Sequence, residues 1–348
     1  MIAQPSSGAR DERSSLYIYG VPGKLGGAST KIAHLIKLLH HDYRVTIVAP
    51  EIAALQDKYI KNLALGYGVA CVLRKELPQR LDGVALAICE PNVFRSGAAS
   101  DLRTRGLRFV WSNEMMFPFK GEDEAVKQGL IDRVLFVSEF QKTAFSKMYA
   151  GVSSVITGNY IDPEDFPQRE RRNPVFTIGR LSRADPGKYP LDFPVFYEEL
   201  GLRDARYRVM AWNRELDKQY RWHRFGAQWE LLQPNSESAL KFLHSLDLFL
   251  YPLGHRVQES WGRAVVEAML TGCVPVVPSG HQFHRLIVNG ESGFICDEYD
   301  QFRSIVLELY KNYPFRRKIA EEASRHAREH LCNQEEHRRT WVEALSFA

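Results

Sequence analysis

Short runs of consecutive apolar residues alternate along the chain with amphipathic stretches. The runs at 84–88 and 134–137 are strand-sized and apolar throughout, which is typical of parallel strands covered on both faces. In contrast, apolar residues at 32, 35, 36 and 39 follow the three-and-four spacing of a helix with one buried face. The alternation of strands and helices predicts an α/β fold. The predicted strands are 16–19, 44–49, 83–88, 107–110, 133–137, 174–178, 207–211, 246–251 and 274–277, with helices over 29–39, from Ser138-Glu139 onward and through most of 301–348.

One segment interrupts this alternation. Residues 158–174 contain three prolines and a charged run, a composition typical of a linker. The sequence therefore predicts an N-terminal Rossmann-like domain over 1–165, a second over 166–325, and a C-terminal helix over 326–348 that packs back on the first domain. In such doubly wound domains, ligands bind at the carboxyl ends of the strands.

Composition and charge exclude several classes of protein. The chain of 348 residues is 45% hydrophobic and 25% charged, as in ordinary globular proteins. No apolar run approaches the roughly 20 residues of a membrane helix, and the polar first fifteen residues lack a signal-peptide core. Five scattered cysteines indicate reduced thiols in a cytoplasmic protein. A net charge of +4 on 46 basic and 42 acidic residues predicts no nucleic-acid partner.

Two glutamates eight residues apart carry the strongest chemical signal. Glu259 precedes a predicted helix, and Glu267 lies within it among apolar neighbours. A buried carboxylate needs partners, which the hydroxyls of a ribose can supply. The helix start at Trp261, Gly262 and Arg263 suits a diphosphate, because backbone N–H groups there have no partners within the helix. An ordinary helix with one N-terminal acid and one salt-bridged acid is the alternative.

The surrounding residues resemble the retaining glycosyltransferases of family 4, also called group 1. Their signature, E-x7-E followed by a glycine and a proline-containing strand, is matched by Glu259, Glu267, Gly272 and Pro275. The resemblance extends loosely over residues 16–300 and is strongest over 245–295. It implies the GT-B fold, in which two Rossmann-like domains with parallel sheets face each other across a cleft.

The resemblance also implies roles for two cations and one glycine loop. Arg180, which follows the predicted strand 174–178, and Lys188 would hold the donor diphosphate, although the family places its lysine directly before glycine and here Gly187 precedes Lys188. Gly26 and Gly27, after the first strand, would lie against the donor phosphate and sugar. Fixed cations suit a leaving diphosphate when no metal is bound, and no metal site is expected.

On the acceptor side the sequence departs from the family. Many members carry a His-Asp pair after the fourth strand, where Asn113 and Glu114 stand here. Asparagine cannot titrate, so Glu114 is the better candidate for a catalytic group. Further on, His284 and Arg285 stand where the family usually has an acid.

These observations predict a retaining hexosyltransferase that moves sugar from a nucleotide-sugar to an acceptor hydroxyl. Within the resemblance, Glu267 binds the ribose and Glu259 the transferred sugar, and Arg180, Lys188, Glu259 and Glu114 are the catalytic candidates. The nucleotide-sugar, linked to UDP or GDP, is a co-substrate, and no cofactor is expected. The acceptor is a glycan, a lipid-linked molecule or a small molecule. A cytoplasmic location with weak peripheral contact to the inner face of a membrane is expected. A sugar-nucleotide epimerase of the same fold and a non-catalytic nucleotide- or glycan-binding protein are the alternatives.

Overall fold

The computed structural model describes residues 13–24, 26–169 and 173–347. Contacts divide the chain into two compact units. The first comprises the described residues up to Phe136, with Lys142–Thr157 and the C-terminal segment from Arg338; the second comprises Val137–Gln141 and Gly158–His337.

The first unit contains a parallel sheet in the order β3-β2-β1-β4-β5-β6-β7. Its strands are β1 Ser14–Tyr19, β2 Tyr43–Ala49, β3 Ala70–Leu73, β4 Val84–Ile88, β5 Arg108–Ser112, β6 Arg133–Phe136 and β7 Ser153–Ile156. The helices that begin between them are α1 Gly27–Leu39, α2 Ile52–Gln56, α3 Lys58–Tyr67, α4 Ala98–Thr104, α5 Glu122–Lys127 and α6 Glu139–Ala144.

The second unit contains a parallel sheet in the order β10-β9-β8-β11-β12-β13. Its strands are β8 Thr177–Leu181, β9 Arg206–Met210, β10 Trp229–Leu232, β11 Leu248–Leu250, β12 Val274–Pro278 and β13 Phe294–Cys296. The helices are α7 Phe193–Glu198, α8 Arg214–Gln219, α9 Ala239–His244, α10 Arg263–Leu270, α11 Tyr299–Lys311 and α12 Tyr313–His326, and the last helix, α13 Gln334–Leu345, crosses into the first unit. Short 3₁₀ turns span Arg74–Glu76, Pro163–Asp165, Pro186–Lys188 and Gln282–Arg285, and a π turn spans Ala327–Leu331.

Burial explains why the apolar runs form strands. Every residue of β4 is buried, and so is every residue of β11, as expected for strands covered on both faces. The helix α1 buries Ile32, Leu35, Ile36 and Leu39, the face that its spacing predicts. The predicted strands are thus confirmed apart from shifts at their ends, whereas β3, β7, β10 and β13 were not predicted.

One shift matters for the site. The sequence predicts a strand over 174–178, but β8 begins at Thr177, where the Asp247 carboxylate accepts the backbone N–H of Thr177 at 2.8 Å. Pro174 lacks an N–H group and cannot contribute one to the ladder. As a result, Arg180 lies inside the strand, and the expectation that it follows the strand is wrong.

The described part of the linker segment joins the second unit, and the C-terminal segment from Arg338 joins the first. Ile161 and Phe166 belong to the hydrophobic core of the second unit, and part of the charged run, residues 170–172, lies outside the described residues. The C-terminal segment packs on the first unit through an ion pair of Arg338 with Asp42 at 2.6 Å and through Trp341, which is fully buried.

Candidate functional site

Three side chains of the second unit meet just beyond the strands of its sheet. Lys188 ends a 3₁₀ turn after β8, Tyr251 directly follows β11, and Glu259 lies in the loop before α10. The Lys188 ammonium and the Tyr251 hydroxyl both donate to Glu259 Oε1, the latter at 2.9 Å. Tyr251 was not predicted as a site residue, although it falls at the carboxyl end of a predicted strand, which is the signal that could have identified it.

The charges of this cluster are nearly excluded from water. The side chains of Lys188 and Glu259 are only 10% and 12% exposed. Burial opposes ionisation of Glu259, but the charge and hydrogen bond of Lys188, with Tyr251 and Arg180, outweigh it and hold the Glu259 pKa below its ordinary value. For Tyr251, burial and the Glu259 charge raise the pKa well above the ordinary value. The cluster is therefore an ion pair between Lys188 and the Glu259 carboxylate, and the neutral phenol of Tyr251 donates to the same carboxylate oxygen.

Arg180 lies beneath this cluster and is completely buried. Its guanidinium donates to the backbone carbonyls of Pro252 and, at 2.7 Å, of Lys188. It also lies over the rings of Tyr189 and Tyr251, 4.0 Å and 4.4 Å from their centroids. The structure thus gives Arg180 the position of a support for Lys188, and its predicted contact with a diphosphate stays a prediction.

The start of α10 depends on Gly262. This residue has φ of +105°, and a Cβ there would lie 2.9 Å from Phe283 Cε1, so both backbone and packing require glycine. The preceding Trp261 is 8% exposed and belongs to the core. The carbonyl of Ser260 accepts a hydrogen bond from the Ser138 hydroxyl at 2.6 Å. The loop that presents the helix start is therefore firmly held.

Glu267 already has a cationic partner. Arg263 Nε donates to Glu267 Oε1 at 2.9 Å, one helical turn away. The same guanidinium donates to Asn159 Oδ1 at 2.9 Å and to the carbonyl of Tyr160 at 3.2 Å. Both side chains of the pair are 12% exposed. The second unit therefore holds Glu267 in a fixed orientation through a salt bridge, as the alternative interpretation of the sequence expects.

In the first unit, the glycine loop precedes α1. Gly26 is the N-terminal cap of this helix with φ of +84°, a conformation that favours glycine. Among the described residues, no atom lies within 4 Å of a Cβ built at Gly26, so the backbone conformation and not packing favours glycine here. Gly27 is the first helical residue.

The Asn113 side chain takes part in a buried hydrogen-bond network. Its side-chain amide donates to both Glu122 carboxylate oxygens at 2.9 Å, and its oxygen accepts the backbone N–H of Met115 at 2.8 Å. Glu122 is fully buried and also accepts from the indole of Trp111 at 2.6 Å and from the Tyr149 hydroxyl. Asn113 therefore shapes the loop after β5, and its predicted contact with the acceptor stays a prediction.

Glu114 faces a lysine that was not predicted from the sequence. Lys31, on α1, forms an ion pair with Glu114 Oε1, and the Ser112 hydroxyl donates to the same oxygen at 3.1 Å. Lys31 is fully buried and Glu114 is 8% exposed. A lysine on the apolar side of a helix is the signal that could have identified this pair, because such a charge needs a partner.

His281 is a further residue near the Glu259 cluster. Its Nδ1 atom is buried without a hydrogen-bond partner within the described residues, and burial lowers its pKa although the Glu259 charge opposes the shift. No group of three or more metal-ligating side chains occurs among residues 13–24, 26–169 and 173–347.

Acid is expected to destabilise the fold through His281. Because its folded pKa is lowered, the unfolded chain binds the proton more readily, so stability present above about pH 6.5 is lost as the pH falls. We expect the melting temperature of the wild type to fall more between pH 7 and 5 than that of His281→Asn. Glu259 titrates below this window, and His326, whose pKa burial also lowers, titrates in both proteins. If the melting temperatures of the wild type and His281→Asn fell equally, His281 would not be the cause. The same would follow if the exposed control His284→Asn reduced the fall as much as His281→Asn does.

A cavity of about 340 Å³ lies beside the helix start in the second unit. Trp261, Leu286 and Leu331 supply apolar lining, and Glu139 and Arg285 supply charges. Lys188 and Glu259 do not line it. The cavity is therefore separate from the Lys188–Glu259 cluster. None of the described helices combines the length and apolar character needed to span a bilayer.

Residues 204–326, which include β9 to β13 and α10, match the family model "Glycosyl transferases group 1". No curated protein sequence gives a significant match.

Solved structures resemble the whole chain. HepE of Anabaena, solved with UDP and glucose, superposes with a TM-score of 0.73 at 16% identity, covering 97% of this chain and 100% of HepE. A glycosyltransferase from Rickettsia africae gives 0.71 at 10% identity, covering 95% and 97%. Sucrose-phosphate synthase from Thermosynechococcus elongatus gives 0.66 at 10% identity, covering 95% and 98%. These likenesses confirm the predicted GT-B fold, with two Rossmann-like parallel-sheet domains.

Proposed function

We propose that the protein transfers a hexose from a nucleotide-sugar to an acceptor hydroxyl with retention of configuration. The observation that carries the proposal is the buried contact of Lys188 and Tyr251 with Glu259, close in sequence to a helix start that requires glycine at 262. A cation and a helix N-terminus suit a diphosphate, and a fixed carboxylate suits sugar hydroxyls.

On this proposal each donor group has its own partner. The diphosphate contacts Lys188 and the backbone N–H groups of 261–263, and the ribose diol contacts Glu267. Glu259 releases Lys188 and accepts hydrogen bonds from the transferred sugar. Arg180 fixes the carbonyl of Lys188 and adds positive potential to the site. These positive groups supply the charge that the leaving diphosphate needs, so we expect turnover without added metal.

The reaction exchanges one bond at the anomeric carbon for another. The bond from C1 to the phosphate oxygen breaks, and the acceptor oxygen forms its bond to C1 on the same face. The acceptor proton passes to the departing phosphate, which leaves as nucleoside diphosphate. No enzyme nucleophile is required, and Glu114 orients the acceptor hydroxyl, with Asn113 shaping its loop.

The comparisons support a UDP-linked donor as the first choice, and a GDP-linked donor is the second. HepE was solved with UDP and glucose, and the family-model match covers the region that contains Glu259 and Glu267. We expect a cytoplasmic enzyme, with weak contact to the inner face of a membrane when the acceptor is lipid-linked.

Incubation with a panel of UDP- and GDP-hexoses tests the proposal. The expected result is raised thermal stability with one nucleotide and either sugar transfer or slow release of free sugar and nucleoside diphosphate. Interconversion of two nucleotide-sugars would identify an epimerase instead. Tight binding without turnover in the presence of candidate acceptors would identify a binding protein.

Replacement of Glu267 by glutamine should weaken nucleotide binding even when the nucleotide carries no sugar. Loss of a charged acceptor for the ribose diol is worth roughly 1.5–3 kcal/mol, or about 10- to 100-fold in affinity. Calorimetric titration with UDP and GDP measures it. The matched control is Glu321→Gln, which breaks an exposed pair with Arg317 of the same i,i+4 spacing and should leave binding unchanged. Unchanged affinity in Glu267→Gln would remove Glu267 from the ribose site.

A further inference from the structure

The two residues of the Lys31–Glu114 ion pair differ in solvent exposure. Lys31 is fully buried, whereas Glu114 keeps 8% of its side chain exposed. The Lys31 ammonium lies over the ring of Trp341, on the C-terminal helix, 5.2 Å from the ring centroid. Trp341 is itself fully buried. Exclusion of water strengthens the attraction between the two charges. The lysine is thus an internal anchor, and Glu114 is the member of the pair whose side chain keeps some exposure.

The position of Glu114 is that of a ligand-binding residue. It lies two residues beyond β5, at the carboxyl edge where parallel sheets bind ligands. Its φ is +60°, which is unfavourable for a residue with a Cβ and is often found at functional sites. Cys89, directly after the neighbouring strand β4, also has a positive φ of 45°. Strained backbone therefore recurs at this edge.

Glu122 provides an internal comparison. It is fully buried and satisfied by Asn113, Trp111, Tyr149 and the backbone of Phe119. That arrangement, without solvent contact, is expected of a purely structural carboxylate. Glu114 differs because its partner is a cation and because its side chain keeps slight exposure at the edge of the sheet.

We propose that Lys31 is a positioning residue that holds the Glu114 carboxylate in the orientation needed to accept the hydrogen bond of the attacking hydroxyl, with Trp341 as its cover. This role rests on the transfer reaction proposed above. Lys31 does not touch the substrate. It fixes the rotamer of Glu114, and Ser112 shares the task through its hydrogen bond.

The test uses hydrolysis of whichever UDP- or GDP-hexose the wild type turns over fastest, with water as the attacking hydroxyl. We expect Lys31→Met to lower kcat about 10- to 100-fold with KM and UDP affinity unchanged, because Glu114 loses its orientation. Lys31→Arg, which keeps the charge, should recover part of the rate. Lys127→Met, which removes an exposed lysine paired with Asp123 in the same unit, is the control and should behave as wild type.

A double variant separates positioning from folding. Lys31→Met alone leaves a buried carboxylate without its cation and lowers the melting temperature, whereas Lys31→Met with Glu114→Gln removes both charges and should restore it. We expect kcat of the double variant to stay low, because the oriented carboxylate is absent. If the double variant recovered both wild-type kcat and wild-type stability, the proposal would be overturned, and the Lys31–Glu114 pair would have only a structural role. Absence of wild-type turnover with every UDP- and GDP-hexose would instead contradict the transfer reaction itself.

Discussion

Glu259→Gln is expected to lower kcat for sugar transfer by about 100- to 1,000-fold, the usual cost of one preorganised charge at a reacting centre. Affinity for free UDP should equal or exceed that of the wild type. In the ligand-free protein Glu259 pairs with Lys188, and the substitution releases that ammonium for the diphosphate. Steady-state kinetics and calorimetric titration measure the two effects separately.

The reciprocal variant makes this prediction specific. Lys188→Met should lose UDP affinity, because the diphosphate loses its cation, whereas Glu259→Gln should not. Glu291→Gln, an exposed acid of the second unit, is the control for charge alone and should change neither quantity. If Glu259→Gln loses UDP binding and Glu267→Gln keeps it, the donor lies in the opposite direction along α10.

Arg180→Met should unfold the second unit more readily, by about 2–5 kcal/mol. The substitution removes the donors to the carbonyls of Pro252 and Lys188, and hydrogen bonds to charged groups contribute about 1.5–3 kcal/mol each. Relief from burying a charge offsets part of the loss. Denaturant unfolding measures the free energy, and kcat should fall as well because Lys188 shifts.

The control for Arg180 lies on the adjacent strand. Arg206, at the start of β9, is exposed, and Arg206→Met should change the free energy of unfolding by less than about 0.5 kcal/mol. An Arg180→Met protein of wild-type stability with reduced UDP affinity would contradict the supporting role and favour direct contact with the diphosphate.

The sequence predicts the strands whose apolar runs are continuous. β4 and β12 are buried on both faces, so their composition alone distinguishes them from amphipathic helices. β3 and β7 were not predicted because they are partly exposed four-residue strands at the two edges of the sheet, with neither a long apolar run nor strict alternation.

The residue types of the site are visible in the sequence, but their contacts are not. The spacing of Glu259 and Glu267 identifies α10 and its start. That Lys188 pairs with Glu259, 71 residues away, follows only from the order of strands in the sheet. Likewise, a start of β8 three residues later than predicted places Arg180 inside the core. The strand predicted from the sequence, 174–178, leaves Arg180 outside it.

The most direct test of retaining transfer is the anomeric form of the first sugar released, followed by proton NMR as wild-type protein hydrolyses a UDP- or GDP-linked α-hexose. The reaction proposed for the Lys188–Glu259 cluster forms the new bond on the face that the phosphate leaves. The α-hexose should therefore appear first, and the β form only later by mutarotation. Initial release of the β-hexose, or the absence of any sugar release or transfer across the UDP- and GDP-hexose panel, would contradict the account.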